Sequence, residues 1–296
     1  MRVAASPSRG FAFPYFLVIP DAIETSKSDD KTYTLLVLPN NTGHPDDDVA
    51  VHETAAREMA ALYSTLAERT GTVLLVPAFP RPTTPAHLYT HALNRAALRA
   101  AEPSIKRLDL QLIAMCNDAR RALGDSGIAL EPRILLFGFS AAGMFANRFT
   151  FLHPSMVKAA VIGSPGGWPL LPLEQLQGQK LSYPVGVADL AELTGAPLDL
   201  ATLVRVPLFF YFGADDQNDS VASADSYEPR ERQLVLSNFG TSLSDRWEDA
   251  GRIYARVLPL AEFHLYPHVG DTTDKAWSDI TPFLRCHSRT ERCPSH

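Results

Sequence analysis

The sequence is short of cysteine, of basic charge and of long apolar runs, and each shortage argues against a class of protein. Its three cysteines, Cys116, Cys286 and Cys293, have no CxxC spacing, which argues against a disulfide framework and a zinc site. Lysine and arginine number 27 against 33 aspartates and glutamates, and no basic patch suggests nucleic-acid binding. No apolar run is as long as a membrane span, and the N-terminal residues lack the apolar core of a signal peptide. We therefore expect a cytoplasmic protein without nucleic-acid or membrane partners.

Motifs for cofactors and metals are missing as well. No GxGxxG or P-loop pattern occurs, and the segment HETAA that begins at His52 lacks the second histidine of a zinc-protease helix. We therefore predict neither a cofactor nor a metal. The remaining composition, 46% hydrophobic and 20% charged over 296 residues, is typical of a globular protein that is long enough to bury a sizeable core.

Apolar segments of strand length alternate with segments of helical periodicity along most of the chain. This alternation predicts an α/β protein in which helices flank a mostly parallel central sheet, in one domain over residues 11–288. Residues 166–205, rich in proline, glycine and leucine, fit poorly and are interpreted as a cap inserted over the site, with a surface excursion as the alternative. The predicted strands are 11–20, 31–39, 71–78, the run before residue 140, 157–163, 207–213 and 262–266. The predicted helices are 49–69, 105–123, the segment from residue 140 to 152, 244–256 and 274–285.

The most informative segment is ILLFGFSAAG, residues 134–143, in which an apolar run breaks on a Gly-x-Ser pattern and continues as small residues. A buried strand, a strained turn and a helix in this order display the turn serine, Ser140, as a nucleophile, and the helix start aims backbone N–H groups at the reacting oxygen. Gly138, Ala142 and Gly143 leave room for the helix beside the strand. The alternative interpretation is a buried strand that ends in a flexible loop.

The elbow and the order of strands and helices together resemble the α/β-hydrolase superfamily, and within it the bacterial serine esterases, over residues 11–284. The resemblance implies an α/β-hydrolase fold without a cofactor and a triad in the order serine, acid, histidine. The acid in this family commonly stands three residues after the glycine that ends the strand beyond the cap. Asp216 occupies that position after Gly213, and Asp215 and Asp219 in the same loop compete with it.

The resemblance also implies two backbone donors for an oxyanion. Ala141, directly after the serine, is predicted to supply one, and Asn41 in LPNNTG is predicted to supply the other in place of the family's glycine-rich loop. The alternative for Asn40 and Asn41 is a simple turn. Asn40, Trp168 and His91 are further candidates for substrate binding, and the alternative for His91 is local packing or capping after its strand.

The histidine position is where the sequence departs from the family. After the last strand the chain reads YPHVGD, residues 266–271, so that Asp271 stands where the histidine is expected and His268 stands three residues earlier. An ordinary aspartate is a poor base for a serine hydroxyl at neutral pH. Three interpretations follow: His268 reaches Ser140 through a remodelled loop, or Asp271 with a raised pKa transfers protons, or the triad is lost and the pocket only binds.

These observations lead to one principal hypothesis and two alternatives. The principal hypothesis is a serine hydrolase that cleaves a carboxylic ester or a related small acyl compound, with Ser140, His268 and Asp216 as the triad. The first alternative is a lyase or cyclase on the same scaffold, in which the altered triad shuttles protons without an acyl-enzyme. The second is a catalytically inactive binding protein. Neither the substrate nor the oligomeric state is predicted.

Overall fold

The centre of the fold is an eight-stranded sheet. The computed structural model describes residues 1–23, 31–222 and 226–289. The strands in chain order are β1 (Arg2–Val3), β2 (Tyr15–Val18), β3 (Thr32–Val37), β4 (Val73–Pro77), β5 (Ala129–Phe139), β6 (Val157–Gly163), β7 (Gln175–Leu176), β8 (Gln179–Lys180), β9 (Leu208–Gly213) and β10 (Ala261–Tyr266). The sheet order is β1-β2-β4-β3-β5-β6-β9-β10, with parallel neighbours from β4 across to β10 and β2 antiparallel to β1 and β4. Strands β7 and β8 form a separate hairpin.

Helices connect these strands and cover both faces of the sheet. They are α1 (Val49–Leu62), α2 (Ser64–Thr70), α3 (Arg95–Leu98), α4 (Leu108–Asp125), α5 (Ala141–Leu152), α6 (Leu190–Thr194), α7 (Leu200–Leu203), α8 (Pro229–Phe239), α9 (Leu243–Val257) and α10 (Trp277–Ser288). The predicted fold class, a mostly parallel sheet flanked by helices, is confirmed. No helix within the described ranges is long and apolar enough to cross a bilayer.

The longer helices differ from the prediction in two places, and the short helices α3, α6 and α7 were not predicted. The predicted helix 49–69 is divided at Tyr63 into α1 and α2, and α8 was not predicted at all. Helix α8 begins with a proline in its first turn and a capping box between Glu228 and Glu231. The pattern EPRE in the sequence carries both signals, so α8 could have been found from its N-terminus. Of the cysteines, Cys116 is a buried free thiol, whereas Cys293 lies outside the described residues.

The core consists of two hydrophobic layers, one on each face of the sheet. Alternate residues of β3 divide between them: Leu35 and Val37 pack in the layer with α4, α5, α8 and α9, and Leu36 packs in the layer with α1, α2 and α10. This division follows from the two-residue period of a strand. Because both faces are covered, the buried stretches of the parallel strands are apolar, such as residues 134–138 of β5 and all of β9.

Residues 166–205, predicted to be a cap, contain the β7/β8 hairpin and the short helices α6 and α7. Trp168 and Tyr183 from this segment are buried in the layer that includes α5. The buried guanidinium of Arg95 on α3 fixes the segment, because it contacts the Tyr183 carbonyl, the Asp189 carboxylate at 2.6 Å and the Glu231 carboxylate at 2.6 Å. The segment therefore shares the main core, and its role as a cover for the site stays a prediction.

Glycines allow α5 to lie unusually close to β5 and β6. A Cβ atom on Gly138 would overlap the backbone of Ala142, and one on Gly143 would overlap the carbonyl oxygen of Gly163. Both obstacles are backbone atoms, which cannot turn aside as a flexible side chain can. The turn between β5 and α5 is therefore possible only with glycine at these two positions.

We predict that Gly138→Ala lowers the free energy of unfolding by at least ~1–3 kcal/mol, the usual cost of overpacking a core. The matched control is Gly124→Ala near the end of α4, where an added Cβ meets nothing within 4 Å. The control should be neutral or slightly stabilising, since alanine favours a helix over glycine. Urea unfolding of the three proteins measures both effects. Equal stability of Gly138→Ala and the parent would contradict the close contact.

Candidate active site

Ser140 occupies the turn between β5 and α5 in a strained backbone conformation. Its φ of 56° and ψ of -124° lie in a region that residues with a side chain rarely adopt, and strain of this kind concentrates at functional sites. The Ser140 N–H donates to the Gly163 carbonyl at 2.9 Å, which ties the turn to the end of β6. The strand, turn and helix predicted from ILLFGFSAAG are therefore all present.

The register of the sheet brings four loops together around this turn. Phe139 at the end of β5 is opposite Gly163, Gly163 is opposite Tyr211, and Gly213 is opposite Tyr266. The strands are parallel, so the loops that follow β5, β6, β9 and β10 leave the same edge of the sheet. Ligand sites in open α/β sheets lie at this carboxyl edge. The predicted nucleophile, acid and histidine positions all belong to these loops.

The side chain in contact with the Ser140 hydroxyl is Asn218, which the sequence did not identify. Its amide nitrogen lies 3.5 Å from Ser140 Oγ and 3.0 Å from Asp271 Oδ2. An amide carries two N–H groups, so Asn218 can donate to both oxygens at once. Asn218 thus bridges the serine and the carboxylate that stands at the family's histidine position. It cannot accept the serine proton through that nitrogen.

Asp216, the predicted acid, is buried beside this bridge. Its Oδ1 accepts a hydrogen bond from the Asn218 backbone N–H at 2.7 Å, and its Oδ2 is buried without a hydrogen-bond partner among the described residues. Burial raises the pKa of the Asp216 carboxyl and the nearby charge of Asp271 acts in the same direction, whereas the Asn218 N–H and the nearby Ser164 hydroxyl act against them. Asp271 is exposed as a residue, but partial burial of its carboxyl raises the pKa of Asp271, against the hydrogen bond from Asn218. Both carboxyls thus hold a proton more readily than free aspartate does.

The competing aspartates in the same loop are placed differently. Asp219 forms an ion pair with Arg246 at 2.5 Å, and its other oxygen accepts from the Val221 N–H at 3.0 Å. The Arg246 side chain is completely buried, so this pair anchors the loop to α9. Asp215 is exposed to solvent. These positions favour Asp216 over Asp219 as the acid, a choice that stays a prediction.

His268, the predicted base, is not hydrogen-bonded to Ser140 in this structure. It is exposed, its φ is 57°, and its side chain forms no hydrogen bond or ion pair with any described residue. The neighbouring carbonyl of Val269 accepts from the Asp215 N–H at 2.8 Å, which ties the His268 loop to the Asp216 loop. The role of His268 as a base stays a prediction.

The two predicted oxyanion donors lie at the same edge of the sheet. Val37 of β3 is opposite Leu136 of β5, so Asn41 and Ser140 are each four residues beyond a paired position. The backbone N–H groups of Asn41 and Ala141 have no acceptor in residues 1–23, 31–222 and 226–289. Ala141 opens α5, where the first N–H groups of a helix are free to bind an anion. These features are compatible with the predicted oxyanion roles.

The three candidates for substrate contact are all buried and satisfied within the protein. The Asn40 side chain exchanges two hydrogen bonds with the backbone of Phe79, at 2.8 and 3.0 Å, and His91 Nε2 lies 2.7 Å from the Phe79 carbonyl. Trp168 is 1% exposed, and its ring lies 4.1 Å from the ring of Phe239. Their known contacts are therefore structural, and a contact with substrate stays a prediction.

A cleft of about 640 Å³ lies next to this edge, beside the loops that follow β3 and β4. Its lining is mainly apolar and includes three prolines, together with several carboxylates and Arg99; the apolar part includes Phe13, Pro80, Pro82, Pro85, Leu88 and Ile105. Ser140 does not line this cleft. The cleft is therefore a neighbour of the serine site and not the site itself.

Comparison with known proteins identifies the fold. No protein-family model matches the chain, and no curated protein matches it in sequence. Among solved structures, poly(aspartic acid) hydrolase-1 from Sphingomonas sp. KT-1 is 19% identical with a TM-score of 0.59, covering 93% of this chain and 95% of that chain. A poly(3-hydroxybutyrate) depolymerase from Bordetella parapertussis is 18% identical with a TM-score of 0.54, over 96% of this chain and 87% of that one. A fluorophosphonate-binding serine hydrolase from Staphylococcus aureus is 14% identical with a TM-score of 0.55, over 98% of both chains. The chain has the α/β-hydrolase fold.

We predict that His91 makes the protein less stable in mild acid. Burial lowers the pKa of His91 to about 3, whereas a histidine in an unfolded chain has a pKa of about 6.5. Between these values only the unfolded chain binds the proton, so stability is full above about pH 6.5 and falls as the pH decreases. From about pH 7 to about pH 5 the parent should lose up to ~2 kcal/mol more than His91→Gln. Urea unfolding at both pH values measures this difference, and equal losses would contradict a neutral buried imidazole.

Proposed function

We propose that this protein is a serine hydrolase that cleaves a carboxylic ester or a related acyl compound. The observation that carries the proposal is Ser140, held at a φ of 56° between a parallel strand and the start of a helix. A strained serine at this point of an α/β sheet is displayed for attack, with helix N–H groups behind it. The three similar structures described above are named as hydrolases or a depolymerase, which supports the same broad class.

In the proposed reaction, Ser140 Oγ attacks the substrate carbonyl carbon and transfers its proton to a base. The carbonyl oxygen becomes an oxyanion, which accepts hydrogen bonds from the backbone N–H groups of Ala141 and Asn41. The intermediate then expels the alcohol, which takes up the proton, and leaves an acyl-enzyme on Ser140. Water then attacks the acyl carbonyl carbon and gives a proton to the base, and the second oxyanion intermediate expels Ser140 Oγ, which takes up that proton as the carboxylic acid leaves.

We propose His268 as the base and Asp216 as the acid that orients it. Asp216 supports this role because its buried Oδ2 makes no hydrogen bond of 3.5 Å or less with the described residues and can accept an imidazole N–H. His268 supports it because its side chain is exposed and without a described partner, so that it can move without breaking a contact. The loop that carries it must bring the imidazole to Ser140 in place of Asn218, since hydrogen bonds of catalytic groups often form fully only with substrate bound.

We predict that Ser140→Ala lowers kcat/KM for short p-nitrophenyl esters by at least ~10³-fold, because the nucleophile is lost. The parent should also react with a fluorophosphonate probe, and Ser140→Ala should not. Ser126→Ala is the matched control, since Ser126 is exposed and only caps the end of α4 through the Ala122 carbonyl. Hydrolysis by Ser140→Ala at the parental rate would refute the nucleophile. If the parent neither hydrolysed the esters nor reacted with the probe, the lyase, cyclase or binding alternatives would be favoured.

A second prediction concerns the proton acceptor. If His268 is the base, His268→Ala should lower kcat/KM by ~10²–10⁴-fold, the usual contribution of a general base. His264→Ala is the matched control, because His264 lies on β10 and pairs with Glu262 away from the loop. The comparison variant Asp271→Asn removes the carboxylate of the other candidate proton acceptor and keeps the size of the side chain. Retained activity in His268→Ala together with a loss in Asp271→Asn would reject His268 and assign the proton to Asp271.

A further inference from the structure

The segment that carries the second oxyanion donor is anchored on both sides of Asn41. On one side, Asn40 is 1% exposed, and its side chain donates to the Phe79 carbonyl at 2.8 Å and accepts from the Phe79 N–H at 3.0 Å. On the other side, the Thr42 N–H points to His91 Nδ1 at 3.5 Å. Asn41 itself is only half-buried, and its side chain accepts from the Gly43 N–H at 3.1 Å.

His91 joins these two anchors into one. Its Nε2 lies 2.7 Å from the Phe79 carbonyl oxygen, which can only accept, and 3.2 Å from the Asn40 amide nitrogen; the shorter contact assigns the proton to Nε2. In the neutral ring Nδ1 is then an acceptor, as the Thr42 N–H requires. The Phe79 carbonyl thus receives donors from both Asn40 and His91. Phe79 follows β4 and is itself 1% exposed in the core, so the loop after β3 is fixed to a rigid element.

A second buried histidine supports the first from the outer side. His52 on α1 is fully buried, and its Nδ1 lies 2.7 Å from the Thr42 hydroxyl. Its Nε2 lies 2.9 Å from the Asp46 carbonyl oxygen in the β3 loop and 3.1 Å from the Arg81 backbone nitrogen in the β4 loop, so the ring lies between these two loops. The rings of His52 and His91 pack edge to face with centroids 5.4 Å apart. Thr42 is therefore held through both its backbone and its side chain.

We propose that His91 is a positioning residue that, together with Asn40, fixes the backbone of residues 40–42 so that the Asn41 N–H faces the oxyanion formed at Ser140. This inference rests on the proposed function and assigns no direct contact between His91 and substrate. A backbone donor that is held in place before the reaction needs no reorganisation as charge develops, and such donors act mainly on the transition state. The effect of losing His91 should therefore appear in kcat and not in KM.

The test compares His91→Leu, which keeps a similar volume but no hydrogen bonds, with the parent and with His153→Leu. His153 is the matched control because it hydrogen-bonds to Asp109 at 2.8 Å at the far end of α5 from Ser140. His91→Leu should lower kcat for p-nitrophenyl esters by ~10–100-fold, up to the effect of losing one oxyanion donor, with KM changed by less than about threefold. Hydrogen–deuterium exchange of the peptide over residues 38–46 should become at least ~10-fold faster, since the Thr42 amide loses its acceptor. His153→Leu should change neither measurement.

The outcomes separate this inference from the proposed function. Faster exchange with unchanged kcat would show that the anchor does not serve Ser140, and unchanged exchange would show that there is no anchor; either result overturns the inference. If the parent hydrolyses no ester, the proposed function fails and the exchange measurement alone decides whether His91 holds the loop. Should His91→Leu fail to fold in a thermal melt, His91→Gln replaces it. Gln retains a donor for the Phe79 carbonyl, so its kcat and exchange should lie between those of His91→Leu and the parent.

Discussion

The contact between α5 and the ends of β5 and β6 is the constraint on which the rest of the site depends. Because Gly138 and Gly143 have no side chain, the backbone of α5 comes into direct contact with the backbone of β5 and β6. The turn between β5 and α5 then has no room for a relaxed conformation. Ser140 accepts a φ of 56°, at a cost of roughly 1–3 kcal/mol for a residue with a side chain. The buried layer around Phe145 and Phe149 on α5 compensates for that cost. One packing arrangement thus determines both the position of the hydroxyl and the direction of the free N–H groups at the start of α5.

The sheet register carries that arrangement to the neighbouring loops. Since the parallel strands β5, β6, β9 and β10 end at the same edge of the sheet, the loop with Asp216 and Asn218 and the loop with Asp271 share that edge with Ser140. Two carboxyls in this limited space raise each other's cost of ionisation, which adds to the effect of burial on the pKa of Asp216. The Asn218 amide lies between the serine and one of the carboxyls and donates to both. The unusual feature of the site is therefore this amide bridge, which follows from the loop after β9 and not from the elbow.

Sequence patterns predicted the parts of the molecule that depend on local or periodic information. The alternation of apolar segments gave the fold class, and ILLFGFSAAG gave the strand, turn and helix around Ser140, because both are encoded by consecutive residues. The contact of Asn218 with Ser140 and the hydrogen bonds that hold the residues on either side of Asn41 were not predicted, for a physical reason. Asn218 meets Ser140 only through the register of three strands, and His91 meets Thr42 across the gap between the β3 and β4 loops. The sequence indicated that His91 follows a core strand and therefore lies at the carboxyl edge of the sheet. Its hydrogen-bond partners are backbone groups of Phe79 and Thr42, which are distant in sequence and could not be predicted from a local pattern.

The contacts of Ser140 separate the hydrogen-bond donors around its hydroxyl from the group that the proposed function requires as the proton acceptor. Within residues 1–23, 31–222 and 226–289, the side chain hydrogen-bonded to Ser140 Oγ is the Asn218 amide, which is a donor, and the next residue, Ala141, opens α5 with another donor, its N–H. Donors stabilise a serine oxygen or an oxyanion once charge has formed, but they do not remove the proton that must leave first. Hydrogen-bond donors alone still supply a sizeable part of catalysis in serine hydrolases that have lost their triad, so the two functions are separable in energy as well as in space. Under the proposed function, the part of this protein that is rigidly built into the fold is the charge-stabilising part. The proton acceptor is instead carried by the exposed loop after β10, where a sequence can exchange histidine for aspartate without disturbing the elbow.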